Sequence, residues 1–108
     1  MPVNKELLKG STSTLILTLL TRKQMYGYEI IKELEFTSGG LFELREGTLY
    51  PILHSLEAEG HVRAEWVGEE GTRQRKYYSI TKTGRSLLKS KRREWAEFKN
   101  AVDKVVFG

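Results

Sequence analysis

The amino-acid sequence predicts a mainly α chain with one small β-hairpin, an α+β fold closed by a long C-terminal helix. Three observations predict it. Apolar residues recur at helical period through the first 60 residues, and two alternating extended segments then flank a glycine-containing loop. The last quarter carries apolar positions spaced seven apart.

The elements follow in order. Residues 5–21 are expected to form a first helix, with Leu8, Leu15, Ile16, Leu19 and Leu20 as its apolar side. The hydroxyl run Ser11, Thr12, Ser13, Thr14 lowers helix propensity, so part of it is expected to face a partner or a phosphate. Residues 22–26 read as a polar turn, and Gly27 to Phe36 as a second helix that buries Ile30, Ile31 and Leu34. Ser38-Gly39-Gly40 ends that helix, and Leu41-Phe42-Glu43-Leu44 reads as a short strand.

A third helix opens between Glu46 and Leu49, with Thr48 as the expected cap and Pro51 in the first turn, where a missing N–H costs little. Leu49, Ile52, Leu53 and Leu56 fall at i, i+3, i+4 and i+7 and make one apolar stripe. The opposite side carries Gly47, Pro51, His54, Ser55 and Ala58, with Tyr50 on its shoulder. That outer face is small, polar and almost uncharged, and Gly60 stops the helix. Val62, Ala64 and Trp66 then alternate with Arg63, Glu65 and Val67, and Arg75 to Ile80 is the return strand of a hairpin around residues 68–72. Thr81 reads as the N-cap of a last helix reaching about Val106.

In that helix Leu88, Trp95 and Val102 are seven apart, and so are Lys91, Phe98 and Val105. Such a seam is too apolar for a lone helix projecting from a small domain, so a homodimer joined through Leu88, Trp95, Phe98, Val102 and Val105 is expected. Residues 1–80 are then expected to form one head domain and residues 81–108 a dimerisation helix. Trp95 and Phe98 admit two readings, as dimer core or as the walls that sandwich a flat aromatic ligand.

Composition narrows the function. With 39% hydrophobic and 30% charged residues the chain is that of a globular protein, and no apolar run approaches the ~20 residues of a membrane span. The start lacks a signal-peptide pattern, and zero cysteines exclude disulfides and thiol catalysis and fit a reducing cytoplasm, the expected location. The net charge of +4 is unevenly placed. Residues 1–72 hold 7 basic against 11 acidic side chains, net −4, whereas residues 73–108 hold 11 against 3, net +8. A basic end points to a polyanion. His54 and His61 have no partner at metal spacing, Glu57 and Glu59 lie on different helix faces, and no glycine-rich loop follows a strand. No catalytic residue, metal or cofactor is expected.

Helix, helix, short strand, helix, hairpin, helix is the order of a winged helix-turn-helix, whose third helix enters the major groove of double-stranded DNA. Gly47 and Ser55 permit close approach, while Thr48, Tyr50 and His54 offer hydrogen bonds to phosphates or base edges. The wing Arg73-Gln74-Arg75-Lys76 would lie over the backbone or in the adjacent minor groove. The alternative is a winged-helix module for protein interaction or ligand sensing, without sequence-specific DNA binding. A protein-only module should bind heparin or random duplex little at low salt.

Three motifs stand in order over nearly the whole chain: Tyr26-Gly27-Tyr28-Glu29-Ile30, then Gly47-Thr48-Leu49-Tyr50-Pro51-x-Leu53-x-x-Leu56-Glu57-x-x-Gly60, then Arg75-Lys76-Tyr77-Tyr78-x-Ile80-Thr81-x-x-Gly84. In them the chain resembles the PadR family of bacterial transcriptional regulators, and its single closing helix is similar to the short-tailed subfamily. The resemblance implies a homodimeric repressor that binds a palindromic operator until a small aromatic effector releases it. It implies Thr48, Tyr50, Pro51 and His54 at the operator and Arg73, Arg75 and Lys76 on the DNA backbone; Tyr26, Gly47 and Ser55 are expected DNA contacts apart from the resemblance. It places Trp95 where drug-sensing relatives line a pocket at the dimer centre. Here Lys91, Arg92, Arg93 and Lys99 crowd that position, so a smaller or anionic ligand, or none, fits equally well.

Overall fold

The computed structural model describes residues 11–108. Its elements are α1 (Thr12–Leu20), β1 (Met25–Tyr26), α2 (Gly27–Thr37), α3 (Glu46–Ala58), β2 (Val62–Val67), β3 (Arg75–Ile80) and α4 (Lys82–Phe107). The part of the first expected helix that includes Leu8 lies outside the described residues.

Helix α1 is the centre of the core. Ile16, Leu17, Leu19 and Leu20 are all buried, as is Thr12, and the helix touches α2, α4 and β3. A helix gripped from several sides is apolar nearly all round. This is why Leu17 is fully buried although a one-sided stripe omits it, while Leu15 lies on the side left partly open. Within the hydroxyl run Thr12 is buried, while Ser11, Ser13 and Thr14 are half-buried. Farther along, Thr18 Oγ1 donates to the Thr14 carbonyl at 2.7 Å and Thr21 Oγ1 to the Thr18 carbonyl at 2.6 Å.

The sheet has the order β1-β3-β2, antiparallel throughout, with Met25 opposite Tyr78, Tyr26 opposite Tyr77 and Ala64 opposite Tyr78. Two expectations are corrected here. The third strand is Met25–Tyr26, inside the segment read as a polar turn, and residues 41–44 are not a strand. The reason is edge availability: β3 already has β1 on one side and β2 on the other. Residues 41–44 instead lead into α3, with Leu44 buried and Phe42 packed against the core. A two-residue strand is too short to show an alternation of its own.

Helix α2 begins under a side-chain clasp in which Tyr26 N donates to Glu29 Oε1 at 3.2 Å. Glu29 in the first turn also suits the helix dipole. The helix ends through Gly39 and Gly40 at positive φ, with Gly40 N donating to the Glu35 carbonyl at 2.8 Å.

Helix α3 starts at Glu46, the early end of the expected range. Arg45 is its N-cap, and both Thr48 N and Leu49 N donate to the Arg45 carbonyl, at 3.0 and 2.9 Å. Thr48 is therefore not the cap but a residue of the first turn, and Pro51 stands in the second turn, inside the helix. Leu49, Leu53 and Leu56 are buried as the stripe required, with Ile52 at its margin.

Helix α4 is anchored by its first two turns. Thr81 caps it, accepting from Gly84 N at 3.1 Å. Thr81 Oγ1 donates to the Gly60 carbonyl at 2.6 Å, and Thr83 Oγ1 donates to the same oxygen at 2.8 Å. A Cβ at Gly84 would run into the His61 carbonyl. The end of α3 and the start of α4 thus share one tight corner. Gly84→Ala is expected to cost about 1–3 kcal/mol, as overpacking does, and urea unfolding at fixed protein concentration measures it. Leu88 is only 2% exposed within the chain itself, so its place in the intermolecular seam is corrected: it completes the core of the head. Beyond it α4 leaves the core, and Trp95, Phe98, Val102, Val105, Val106 and Phe107 are all exposed.

Candidate nucleic-acid interface

Anchoring α3 by Leu49, Leu53 and Leu56 turns Gly47, Thr48, Pro51, His54, Ser55 and Ala58 outward, and all six are exposed. Small side chains leave this face slim, and between Gly47 and Ala58 its one partly charged edge is Glu57. Tyr50 is half-buried on the shoulder. Its hydroxyl lies against Gly27, where any Cβ would collide with it, and its ring centroid is 6.5 Å from that of His54. Gly27 is thus the residue that lets the start of α2 and the shoulder of α3 meet.

The wing joins from the other side. Lys76 Nζ is 3.5 Å from Glu57 Oε1 of α3 and 5.5 Å from the Tyr78 ring centroid. Arg75 has no acidic partner among the described residues; its guanidinium lies 4.6 Å above the Tyr26 ring. Tyr26 packs edge-on against Tyr77 at 5.4 Å and stacks near Tyr28 at 6.5 Å, while Lys32 Nζ stands 5.5 Å over Tyr28. Arg73 is exposed in the loop. Tyr26, Gly47, Thr48, Tyr50, Pro51, His54, Ser55, Arg75 and Lys76 are therefore brought to two adjoining surfaces, linked by the Tyr50–Gly27 contact and the Lys76–Glu57 pair.

Sequence reasoning missed Tyr28, Lys32, Tyr77 and Glu57 as members of this surface. Tyr77 reaches Tyr26 only through the β1–β3 pairing, so the unread strand hid the cluster. Trp66 shares the inward alternation of Val62 and Ala64 but is 65% exposed, because the hairpin extends beyond the core at that point.

Burial pushes the Tyr78 hydroxyl above its ordinary 10.0, against the opposing pull of Lys76. With the folded-state value the higher one, the stability contributed by neutral Tyr78 is complete below about pH 10 and is lost as pH rises through the raised value. The described residues contain no cluster of His, Cys, Asp or Glu that could hold a metal ion, and no helix among them is long and apolar enough to cross a membrane. Trp95 and Phe98 sit well away from α3, exposed on α4 with ring centroids 6.2 Å apart.

The profile of the transcriptional regulator PadR-like family matches residues 16–90, from α1 through the first turns of α4. The chain belongs to the PadR-like family. PadR-like proteins are transcriptional regulators rather than enzymes, and the winged helix-turn-helix seen here is their DNA-binding fold. A transcriptional regulator from Clostridium thermocellum superposes with a TM-score of 0.87 at 37% identity, covering 94% of this chain and 98% of that one. A PadR-like transcription factor from Bacteroides fragilis gives a TM-score of 0.77 at 30% identity, over 94% and 96% of the two chains. Protein X of Lysinibacillus sphaericus, itself uncharacterised, is 33% identical over 106 residues, 98% of this chain and 97% of that protein. The PadR-like match ends before Trp95, so the exposed apolar half of α4 is described by this chain's own residues.

Proposed function

We propose that this PadR-like regulator acts as a homodimeric repressor on a palindromic operator. The observation that carries the reading is the slim, nearly neutral outer face of α3 beside a cationic wing, tied together by the Lys76–Glu57 pair. Helix α3 would enter the major groove, a slot wide enough for one helix, with Thr48, His54 and Ser55 at base edges or phosphates. Arg73, Arg75 and Lys76 would meet the backbone. Because the outer face offers no Arg, Asn or Gln, part of the selectivity would come from DNA shape.

Residues 81–108 would serve as the dimerisation helix, with Trp95, Phe98, Val102 and Val105 covered by the partner. An aromatic effector between the two Trp95 side chains would release the operator only by favouring one arrangement of the heads over the other. The corner shared by Gly60, Thr81, Thr83 and Gly84 supports this coupling, since a rotation of α4 is felt directly at the end of α3.

Retention on immobilised random duplex tests the DNA role against a protein-only module. At low salt the protein is expected to bind and to elute as salt rises; passage without retention would favour the protein-only alternative.

A further inference from the structure

We propose that the main-chain carbonyl of Gly47, left without an intrahelical donor by Pro51, reads one base of each half-site by accepting a hydrogen bond from an exocyclic amine. The inference rests on the reading that α3 occupies the major groove. Helix α3 is already hydrogen-bonded from Arg45, so the Gly47 carbonyl is one that residue 51 would normally serve. Residue 51 is proline, which has no N–H and whose ring crowds the carbonyl four residues before it. Carbonyls on solvent-facing sides of helices tilt outward toward water, and Gly47 lies on that side of α3.

The position suits a reader. At about 100° per residue Gly47, Pro51, His54 and Ala58 lie along the middle of the outer face. Gly47 is exposed, and a Cβ placed on it would meet nothing within 4 Å, so no side chain stands over this residue on the side where a Cβ would project. It also lies in the first turn, the part of a recognition helix that meets base edges.

Chemistry then limits the partner. A carbonyl oxygen only accepts, and phosphate oxygens only accept, so this group cannot be a backbone contact. The donors in the major groove are the N4 amine of cytosine and the N6 amine of adenine. The carbonyl would therefore distinguish an amino base from a keto base on the strand it faces, selecting C or A over G or T. Proline inside a helix is otherwise unfavourable by about 3 kcal/mol relative to alanine, and Pro51 is exposed rather than part of the core.

The test uses the full-length protein and its Pro51→Ala variant, in which the N–H restored at this position can reclaim the Gly47 carbonyl. Duplexes enriched by the wild type from a random pool are remade with deoxynebularine for single adenines or deoxyzebularine for single cytosines, removing one amine at a time. The expected result is one position per half-site where the wild type loses roughly three- to tenfold in affinity and the variant loses nothing. Pro51→Ala is also expected to melt at a higher temperature, opposite to a residue kept for stability. Equal losses in both proteins at every position, or no loss in the wild type anywhere, would overturn the acceptor role. Failure of the wild type to enrich any duplex would instead remove the DNA-groove reading on which the proposal stands, and the proposal with it.

Discussion

Trp95→Asp is expected to convert the protein to monomers and to weaken operator binding by roughly a hundredfold or more, the range over which linked binding sites gain from acting together. Trp95 is 52% exposed and Phe98 62% exposed in the single chain, with Val102, Val105, Val106 and Phe107 continuing the apolar run. An apolar surface of that length on a small domain calls for a cover. Carboxylates at the centre of that cover would face each other unpaired, and an uncompensated buried charge costs about 3–5 kcal/mol. The substitution is expected to leave the head intact, because the buried core ends at Leu88 on α4 and Trp95 is exposed beyond it. Sedimentation velocity gives the oligomeric state, and far-UV melting of the variant confirms the fold. A tight dimer that survives Trp95→Asp would take the seam out of the account.

Arg75→Ala/Lys76→Ala is expected to lower operator affinity strongly and to reduce its salt dependence. The proposed dimer would lose four positive charges, and at about 0.9 unit per neutralised phosphate the slope of log K against log salt would fall by roughly 3.6. The two residues are not equivalent. Lys76 already has Glu57 at 3.5 Å, so a phosphate must compete with that carboxylate. Arg75 is held over Tyr26 without an acidic partner among the described residues, oriented while its charge remains free. Arg75→Ala alone should therefore account for more than half of the change. Unchanged affinity and slope in the double variant would show that the wing does not touch DNA.

Much of this architecture is written in local patterns. The stripe Leu49, Leu53, Leu56 fixes which side of α3 is outer, and the burial of all three follows from spacing alone. Thr81 followed by Gly84 announces the α4 cap, since a hydroxyl can accept from the N–H three residues on. What was illegible depends on contacts distant in sequence. Met25–Tyr26 becomes a strand only because β3 offers a free edge, and Leu41–Leu44 fails to become one because that edge is taken. Leu17 is buried because α1 is surrounded, which no one-sided stripe reports. Leu88 shares the seven-residue spacing of Trp95 and Val102 yet faces the chain's own core, since the spacing continues past the point where α4 leaves the head. Pro51 marked a helix start by habit of position, while Arg45 had already begun it.

The site divides the same way. The outer residues of α3 and the cations of the wing were readable, whereas the Tyr26–Tyr77–Arg75 cluster required the strand pairing that aligns them. The role of Gly27 is likewise visible only with Tyr50 in place above it.

The central claim is that two chains, joined through α4, hold their α3 helices in successive major grooves on one face of a duplex. Hydroxyl-radical footprinting of the purified protein on a duplex enriched from a random pool addresses it most directly. The account predicts two protected half-sites forming an inverted repeat, with centres about 10 base pairs apart. A single protected half-site, or protection without inverted symmetry, would contradict it.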